Sequence, residues 1–255
     1  MQVTRLPGEW GAYAVVGKDG RMAPSLRSQV VEGLGGDICS GRLAVGTVLS
    51  VEDVMARFEV SRSVVREALS VLASLGLVVS QKRVGTTVQP PEAWRAFDPS
   101  VIRWRLAGAD PRAEFRTLTE LRSAVEPYAA ELAAERATTE QAGRLLELAA
   151  RLEEAGRTGD QSAFEAADVE FHRLVLQSSG NPMLQELADV VAEVLASRHR
   201  YGIVPRFPDP TALDLHQTVA TAIRSGEREI AGRAARRIVE RSADETAALF
   251  RAGDA

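Results

Sequence analysis

Residues 46–88 predict the fold of the first third of the chain, and they read GTVLSVEDVMARFEVSRSVVREALSVLASLGLVVSQKRVGTTV. In the middle of this stretch apolar residues recur at the spacing of an α-helix, which predicts that one helical face is buried. That face consists of Val65, Ala68, Leu69, Leu72 and Leu75. Ser61 precedes the helix as a predicted N-cap and Gly76 follows it as a predicted stop, so both ends of the helix are marked.

A shorter helix is predicted directly before this one, beginning after Ser50 and ending near Glu59. Ser50 and Asp53 have the spacing of a capping box, in which each side chain satisfies the backbone amide of the other residue. Further upstream, apolar residues recur every four positions and predict one more helix. They are Leu26, Val30, Leu34 and Ile38.

The period changes from helical to extended after Gly76. The segments LVVSQ at 77–81 and TTVQ at 86–89 are rich in β-branched residues and are separated by a turn, which predicts a small hairpin. Three helices followed by a hairpin, in this order, make a winged helix-turn-helix. Two prolines, Pro90 and Pro91, are expected to end it.

From Pro99 onward the sequence favours amphipathic helices and shows no convincing strand pattern. Pro127 falls inside the longest of them and is expected to kink it. The helices are predicted at residues 100–107, 111–136, 139–155, 161–178, 182–201, 210–225 and 227–251. The second part of the chain is therefore predicted to be an all-α bundle.

The protein is thus expected to be mainly α, with a winged helix in front of a helical bundle. The predicted segments are a flexible extension at 1–22, the winged helix at 23–89, a semi-rigid linker at 90–98 and an all-helical domain at 99–252.

Composition sets limits on the class of protein. The 255 residues are 45% hydrophobic and 26% charged, which is typical of a globular protein. No apolar run approaches the roughly 18–20 residues of a membrane span, and the first residues lack a signal-peptide core, so a cytoplasmic protein without a membrane partner is expected. The single cysteine, Cys39, excludes an internal disulfide and zinc sites built on cysteine pairs.

Charge is unevenly distributed along the chain. Residues 23–90 carry seven Lys and Arg against six Asp and Glu, whereas residues 91–255 carry 21 against 27. DNA binding would therefore depend on a few well-placed arginines. Arg62, Ser63 and Arg66 lie at the start of the second helix of the helix-turn-helix, the part that reaches base edges in the major groove. Arginine is well shaped for bidentate contact with guanine. Taken alone, each arginine is better explained as a solvated surface residue, but the ordered combination of capped helices and a basic hairpin tip favours DNA binding.

Residues 46–88 resemble the DNA-binding signature of the GntR family of transcriptional regulators, with VSRSVVREAL and the wing ending in VGTTV carrying the resemblance. The resemblance implies a two-fold dimer on double-stranded operator DNA, with the helix reading bases and the wing tip in the minor groove. The residues it assigns to DNA are Ser61, Arg62, Ser63, Arg66, Lys82, Arg83 and Gly85. This chain departs from the family at Glu52 and Asp53, where many members carry a DNA-contacting arginine.

Three histidines offer candidate metal ligands. Asp168 and His172 are four residues apart on a predicted helix and share one face, and His216 on a later helix could lie opposite them. The alternative is an exposed i,i+4 pair with His216 buried or capping a helix. His199 stands beside Arg198 and Arg200 and is expected to be a solvent-facing residue at a helix end.

Residues 98–250 are similar to the FCD ligand-binding domain of the FadR branch of the GntR family. The segments ELRSAVEPYAAELAAERAT, ADVEFHRLVLQSSGNPML and LHQTVATAIRSG carry this similarity. Many FCD domains hold a divalent metal such as zinc with one Asp and three His, and the matching positions here are Asp168, His172, His216 and Ile238. Isoleucine is not a ligand, which leaves three outcomes: a metal completed by water or effector, a metal with a borrowed ligand such as His199, or a metal-free polar pocket.

For a carboxylate effector, Arg122 on the long helix is the first candidate, with an exposed pair between Arg122 and Glu126 as the alternative. Asn181 could bind the effector or cap the helix after Gly180. The resemblance implies a repressor, not an enzyme, released by a small carboxylic acid such as an aldonate. Two alternatives are a metal-dependent enzyme using the Asp/His cluster and a purely architectural DNA-binding dimer.

Overall fold

The structure is a computed structural model that describes residues 3–4, 14–15, 25–82 and 85–252. The chain divides into two compact units, Met1–Arg95 and Ala96–Ala255. Two short strands, β1 (Val3–Thr4) and β2 (Ala14–Val15), form an antiparallel pair. The rest of the predicted extension at 1–22 lies outside the described residues.

The first unit contains the predicted winged helix. Its helices are α1 (Leu26–Cys39), α2 (Val51–Phe58) and α3 (Arg62–Ser74). Its sheet has the antiparallel order β3-β5-β4, formed by β3 (Val48–Leu49), β4 (Val78–Gln81) and β5 (Gly85–Val88). The short strand β3 was not predicted, because two residues are too few to show an alternating pattern.

Local capping explains where α2 begins, and a serine also precedes α3. The Ser50 hydroxyl accepts the Asp53 amide at 3.3 Å and starts α2, and Glu59 ends it in the left-handed conformation with φ of 53°. Ser61 holds the N-cap position of α3, as predicted. Its hydroxyl, however, bonds to the Ser63 hydroxyl at 2.9 Å and caps no backbone amide.

Residues after the wing fold back on the end of α3. Gly76 has φ of +78°, and a Cβ at this position would lie 2.1 Å from the carbonyl oxygen of Ala93. The Arg95 amide donates to the Leu75 carbonyl at 2.9 Å, and the Trp94 indole donates to the Gln89 carbonyl at 3.0 Å. The chain through Arg95 is therefore part of the first unit.

The second unit is all-helical within its described residues. Its helices are α4 (Pro99–Leu106), α5 (Pro111–Arg136), α6 (Thr139–Thr158), α7 (Gln161–Ser178), α8 (Pro182–Glu186), α9 (Ala188–Arg200), α10 (Pro210–Ser225) and α11 (Arg228–Ala252). The single helix predicted at 182–201 is wrong, because the chain breaks at Leu187 into α8 and α9. Helix α5 continues through Pro127.

The core of the second unit lies between α5, α6, α7, α9, α10 and α11. Fully buried side chains such as Leu145, Leu148 and Phe171 fill it, and apolar burial of this kind is the main stabilising contribution to a helical bundle. Ile238 belongs to this apolar core, with 8% of its surface exposed. Among the helices that the structure describes, none is both long enough and apolar enough to span a bilayer.

Candidate functional site

The start of α3 presents polar side chains to solvent. Ser61, Arg62, Ser63 and Arg66 are all exposed, and the opposite face of α3 is buried through Val65, Ala68, Leu69 and Leu72. The guanidinium of Arg62 is not free, because its Nη2 donates to Oε1 of Glu52 at 2.5 Å. The helix therefore offers Arg66 and a tethered Arg62 on one accessible surface.

The wing supplies a second set of candidate DNA contacts. Gln81 pairs with Gly85, so Lys82 lies at the hairpin tip, where it is exposed. Gly85 has φ of +104°, a conformation that L-residues rarely adopt, and a Cβ there would meet a Val48 methyl at 3.0 Å. Arg83 lies outside the described residues.

In the second unit three buried side chains converge. Asp168 and His172 project from α7, and His216 projects from α10, each with 5% of its surface exposed. The Nε2 atoms of His172 and His216 lie 3.6 and 3.5 Å from Oδ1 of Asp168. Their ligand atoms all fall within 4.8 Å of one another, so the expected cluster is assembled.

The hydrogen bonds of the Nδ1 atoms, which point away from Asp168, show which nitrogen of each histidine ring carries the proton. His216 Nδ1 faces the Ala212 carbonyl at 2.8 Å, and because a carbonyl can only accept, Nδ1 carries the proton. His172 Nδ1 likewise donates to Oε2 of Glu126 at 2.6 Å. The Nε2 atom of each ring is then the nitrogen turned toward the Asp168 carboxylate, and in the neutral ring it offers a lone pair suited to a metal ion.

His199 also faces this carboxylate, which corrects the expectation that it points to solvent. Its side chain is only 6% exposed, and its Nε2 lies 3.7 Å from Oδ2 of Asp168. The buried Nε2 atoms of His199 and His216 have no hydrogen-bond partner. Asp168 is thus approached by imidazoles on both of its oxygens.

Two carboxyl groups in the cluster have shifted pKa values. Burial by itself would raise the pKa of Asp168, but the facing imidazoles of His199, His216 and His172 outweigh burial and hold this pKa well below its usual range. Burial likewise opposes ionisation of Glu126, yet the charges and hydrogen bonds of Arg122 and His172 lower its pKa to about 2. Both groups are therefore ionised at neutral pH.

Arg122 lies inside the unit with 1% of its surface exposed. It does pair with Glu126, through Nε and Oε1 at 2.5 Å, but the pair is buried rather than exposed. Its Nη1 donates to the Ser242 hydroxyl at 3.1 Å. Arg122 therefore links α5 to α11 beside the histidine cluster.

A small cavity joins these groups. It encloses about 50 Å³ and is lined on one side by the Asp168, His172 and His216 cluster. Arg122, Arg198 and Arg241 contribute guanidinium groups to its wall, and the segment between α9 and α10 contributes Val204, Pro205 and Pro208. Each of these arginines has a carboxylate partner, since Arg122 pairs with Glu126, Arg198 with Glu245 at 2.8 Å and Arg241 with Asp209 at 3.3 Å.

Asn181 is placed away from this cavity, outside the residues that line it. Its Oδ1 accepts the Met183 amide at 3.0 Å and caps α8. This position corresponds to the capping alternative.

Sequence reasoning did not assign five polar residues to the site. They are Glu126, Arg198, Arg241, Ser242 and Glu245. Glu126 had a usable signal, because it stands four residues after Arg122 on the same predicted helix and would share its buried face. The other four approach from α9 and α11, and no local spacing connects them to α7.

Two family models match the chain. The model described as "Bacterial regulatory proteins, gntR family" matches residues 26–88, and the model described as "FCD domain" matches residues 117–241. The chain is 31% identical over 218 residues to the galactonate operon transcriptional repressor of Escherichia coli (strain K12), which covers 84% of this chain and 93% of that protein.

Other similarities agree with this family. A probable D-xylose utilization operon transcriptional repressor of Paenarthrobacter nicotinovorans is 28% identical over 211 residues, covering 81% of this chain and 82% of that protein. The solved structure of E. coli McbR/YncC has a TM-score of 0.53 at 18% identity and covers 89% of this chain and all of that one, a likeness in fold alone.

Both units are therefore accounted for by one type of protein, and the relatives are regulators of transcription rather than enzymes. The expectation that this is not an enzyme is confirmed, and the metal-dependent enzyme is excluded as an alternative. The chain belongs to the GntR family of bacterial transcriptional regulators, with an FCD domain behind its winged helix.

Proposed function

We propose that this protein is a homodimeric repressor that binds double-stranded operator DNA in the cytoplasm and is released by a small carboxylic acid, such as a sugar acid of the aldonate type. The observation that carries the proposal is the buried cavity of the FCD domain, where a histidine and aspartate cluster faces three guanidinium groups. A domain that served only for assembly would gain stability from apolar residues at these positions, because buried charges are costly.

The proposed DNA contacts come from α3 and the wing. Arg62 and Arg66 would read guanine edges in the major groove, with Ser61 and Ser63 bonding to phosphate or base. Lys82, Arg83 and the Gly85 backbone would bring the wing to the DNA. The exposure of the described members of this set supports the assignment.

The donors in the cavity fit a divalent metal such as zinc. Two donors bound at about 2.1 Å to one tetrahedral ion lie about 3.4 Å apart, close to the 3.5 and 3.6 Å that separate His216 and His172 from Asp168 Oδ1. We assign Asp168, His172 and His216 as ligands. His199 is the candidate fourth donor, because it is buried with an unpartnered Nε2 whereas Ile238 is part of the apolar core.

The metal would act as a Lewis acid for the oxygens of the effector. The effector carboxylate would bind the guanidinium groups of Arg122, Arg198 and Arg241, which suit planar bidentate recognition. The names of two relatives, a galactonate operon repressor and a probable D-xylose operon repressor, favour a sugar-derived acid.

The cavity must enlarge to admit such a molecule. Its volume of about 50 Å³ holds a few water molecules, whereas small-molecule sites usually enclose roughly 300–1,000 Å³. The non-helical segment 202–209 between α9 and α10 forms part of the wall and can move without breaking a helix. Effector binding would therefore select an opened state, and by linkage any loss of operator affinity must be matched by an equal loss of effector affinity on DNA.

The test is fluorescence anisotropy of the full-length protein on DNA from upstream of its own gene, titrated with a panel of aldonates and uronates, with and without chelator. Release by one acid, abolished by chelator, is the expected result. DNA binding that no acid disturbs, together with no rise of the melting temperature in any acid, would favour the architectural dimer. Release that is insensitive to chelator would refute the role of the metal and support the role of the effector.

A further inference from the structure

An exposed ion pair joins the first turns of α2 and α3 in the first unit. Glu52, in the first turn of α2, holds Arg62, in the first turn of α3, through Oε1 and Nη2 at 2.5 Å. The two side chains are 64% and 55% exposed, so an exposed pair of this kind adds little to the stability of the domain. Any functional effect of this ion pair therefore lies in how Arg62 contacts DNA.

The carboxylate of Glu52 is well supported in its ionised form. Its own backbone amide and the charge of Arg62 lower the pKa of Glu52. The Ser50 hydroxyl, which caps α2, also donates to Glu52 Oε2 at 3.4 Å. Glu52 is therefore held by the helix start on one side and offers its other oxygen to Arg62.

The geometry leaves Arg62 able to read a base. A guanidinium has five N–H donors, and the bond to Glu52 uses only one on Nη2. A planar pair of donors remains for the N7 and O6 atoms of guanine. The carboxylate meanwhile neutralises the positive charge that would otherwise attract any phosphate.

We propose that Glu52 is a specificity-determining residue of this regulator, which positions Arg62 for base contact and disfavours its use as a general phosphate contact. The inference rests on the proposed role of α3 as the DNA-reading helix. Phosphate contacts carry affinity without sequence information, whereas base contacts carry specificity. Tethering Arg62 to Glu52 therefore lowers non-specific affinity for DNA and increases discrimination between sequences.

The neighbouring acid provides a matched control. Asp53 is also exposed in the first turn of α2 and carries the same charge, but Arg62 is paired with Glu52. Glu52→Gln and Asp53→Asn thus remove one negative charge each from the same helix turn. Any effect of general charge appears in both variants, and an effect through Arg62 appears only in Glu52→Gln.

The experiment uses full-length protein. A duplex is first selected from a random library with the wild type, and binding to it and to a shuffled duplex of equal length is then measured by anisotropy over a series of NaCl concentrations. Wild type, Glu52→Gln, Asp53→Asn, Arg62→Ala and the double variant of Glu52 and Arg62 are compared. Equal melting temperatures establish that the variants are folded.

For Glu52→Gln we expect tighter binding to the shuffled duplex, a salt dependence steeper by about one released ion, and a ratio of selected to shuffled affinity reduced about three- to tenfold. Asp53→Asn should leave this ratio unchanged, and adding Glu52→Gln to Arg62→Ala should have no further effect on it. An unchanged ratio in Glu52→Gln, or the same change in Asp53→Asn, overturns the proposal. Failure of the wild type to enrich any sequence would instead refute the DNA-reading role on which it rests.

Discussion

Replacing Glu126 with glutamine tests the buried charge cluster of the FCD domain most directly. The carboxylate of Glu126 holds Arg122 on one oxygen and His172 on the other, at 2.5 and 2.6 Å. Glutamine has the same shape without the charge, so Arg122 would remain buried without its counter-ion. Breaking a buried pair in this way typically costs about 3–5 kcal/mol.

The pKa of Glu126 gives a similar magnitude. It is lowered from 4.5 to about 2, and at 1.36 kcal/mol per unit this corresponds to about 3 kcal/mol of folding stability. Because the folded-state pKa is the lower one, this stability is fully present above pH 4.5 and is lost as the pH falls from 4.5 toward 2. The difference between wild type and Glu126→Gln should therefore shrink over the same interval.

The assay is urea unfolding of the full-length protein in EDTA, followed by circular dichroism at pH 7 and at steps down to pH 3. Glu229→Gln is the control, because Glu229 also forms an ion pair, with Arg233, but is 87% exposed. At pH 7 we expect Glu126→Gln to lower the free energy of unfolding by about 3–5 kcal/mol and the control to lower it by less than about 0.5 kcal/mol. A loss below about 1 kcal/mol at pH 7, or a loss independent of pH, would refute the reasoning.

Three further outcomes are expected. Arg66→Ala should weaken binding to a selected operator duplex by about tenfold or more and leave effector-induced stabilisation unchanged, and intact operator affinity would remove α3 from base reading. His199→Ala should lower zinc affinity by about tenfold to a hundredfold in competition with a chelating dye, whereas Arg200→Ala, exposed in the same helical turn, should not; equal affinities would leave three ligands. Gly76→Ala should destabilise the first unit by more than the roughly 1–2 kcal/mol of a left-handed backbone, because its Cβ would collide with the Ala93 carbonyl, and an unchanged melting temperature would contradict this.

Much of the winged helix could be predicted because its signals are local. The cap at Ser50, the N-cap position of Ser61, the apolar face of α3 and the change of period after Gly76 each involve residues a few positions apart. The helix ends of the second unit were harder to predict where no proline or glycine marks them. The break at Leu187 between α8 and α9 has no such residue and was missed.

The same difference between local and distant signals explains which residues of the candidate site could be predicted. Asp168 and His172 were paired from their i,i+4 spacing on α7. His216 was placed opposite them as one of two alternatives, and the resemblance to FCD domains favoured that placement. His199 was expected in solvent because its neighbours Arg198 and Arg200 are charged. In the structure Arg198 is itself buried, held by Glu245, so this stretch of α9 faces inward despite its composition.

The sequence by itself therefore determined the fold class, the order of the two units and the residues that start α3, since periodicity and capping act between residues close together in the chain. Only the tertiary structure decided which distant side chains meet. Glu126 reaches His172 across 46 residues and Arg122 reaches Ser242 across 120, because α5, α7 and α11 pack together. Such contacts depend on how helices pack around a shared core, and that packing places His199 on Asp168 and Glu126 behind His172.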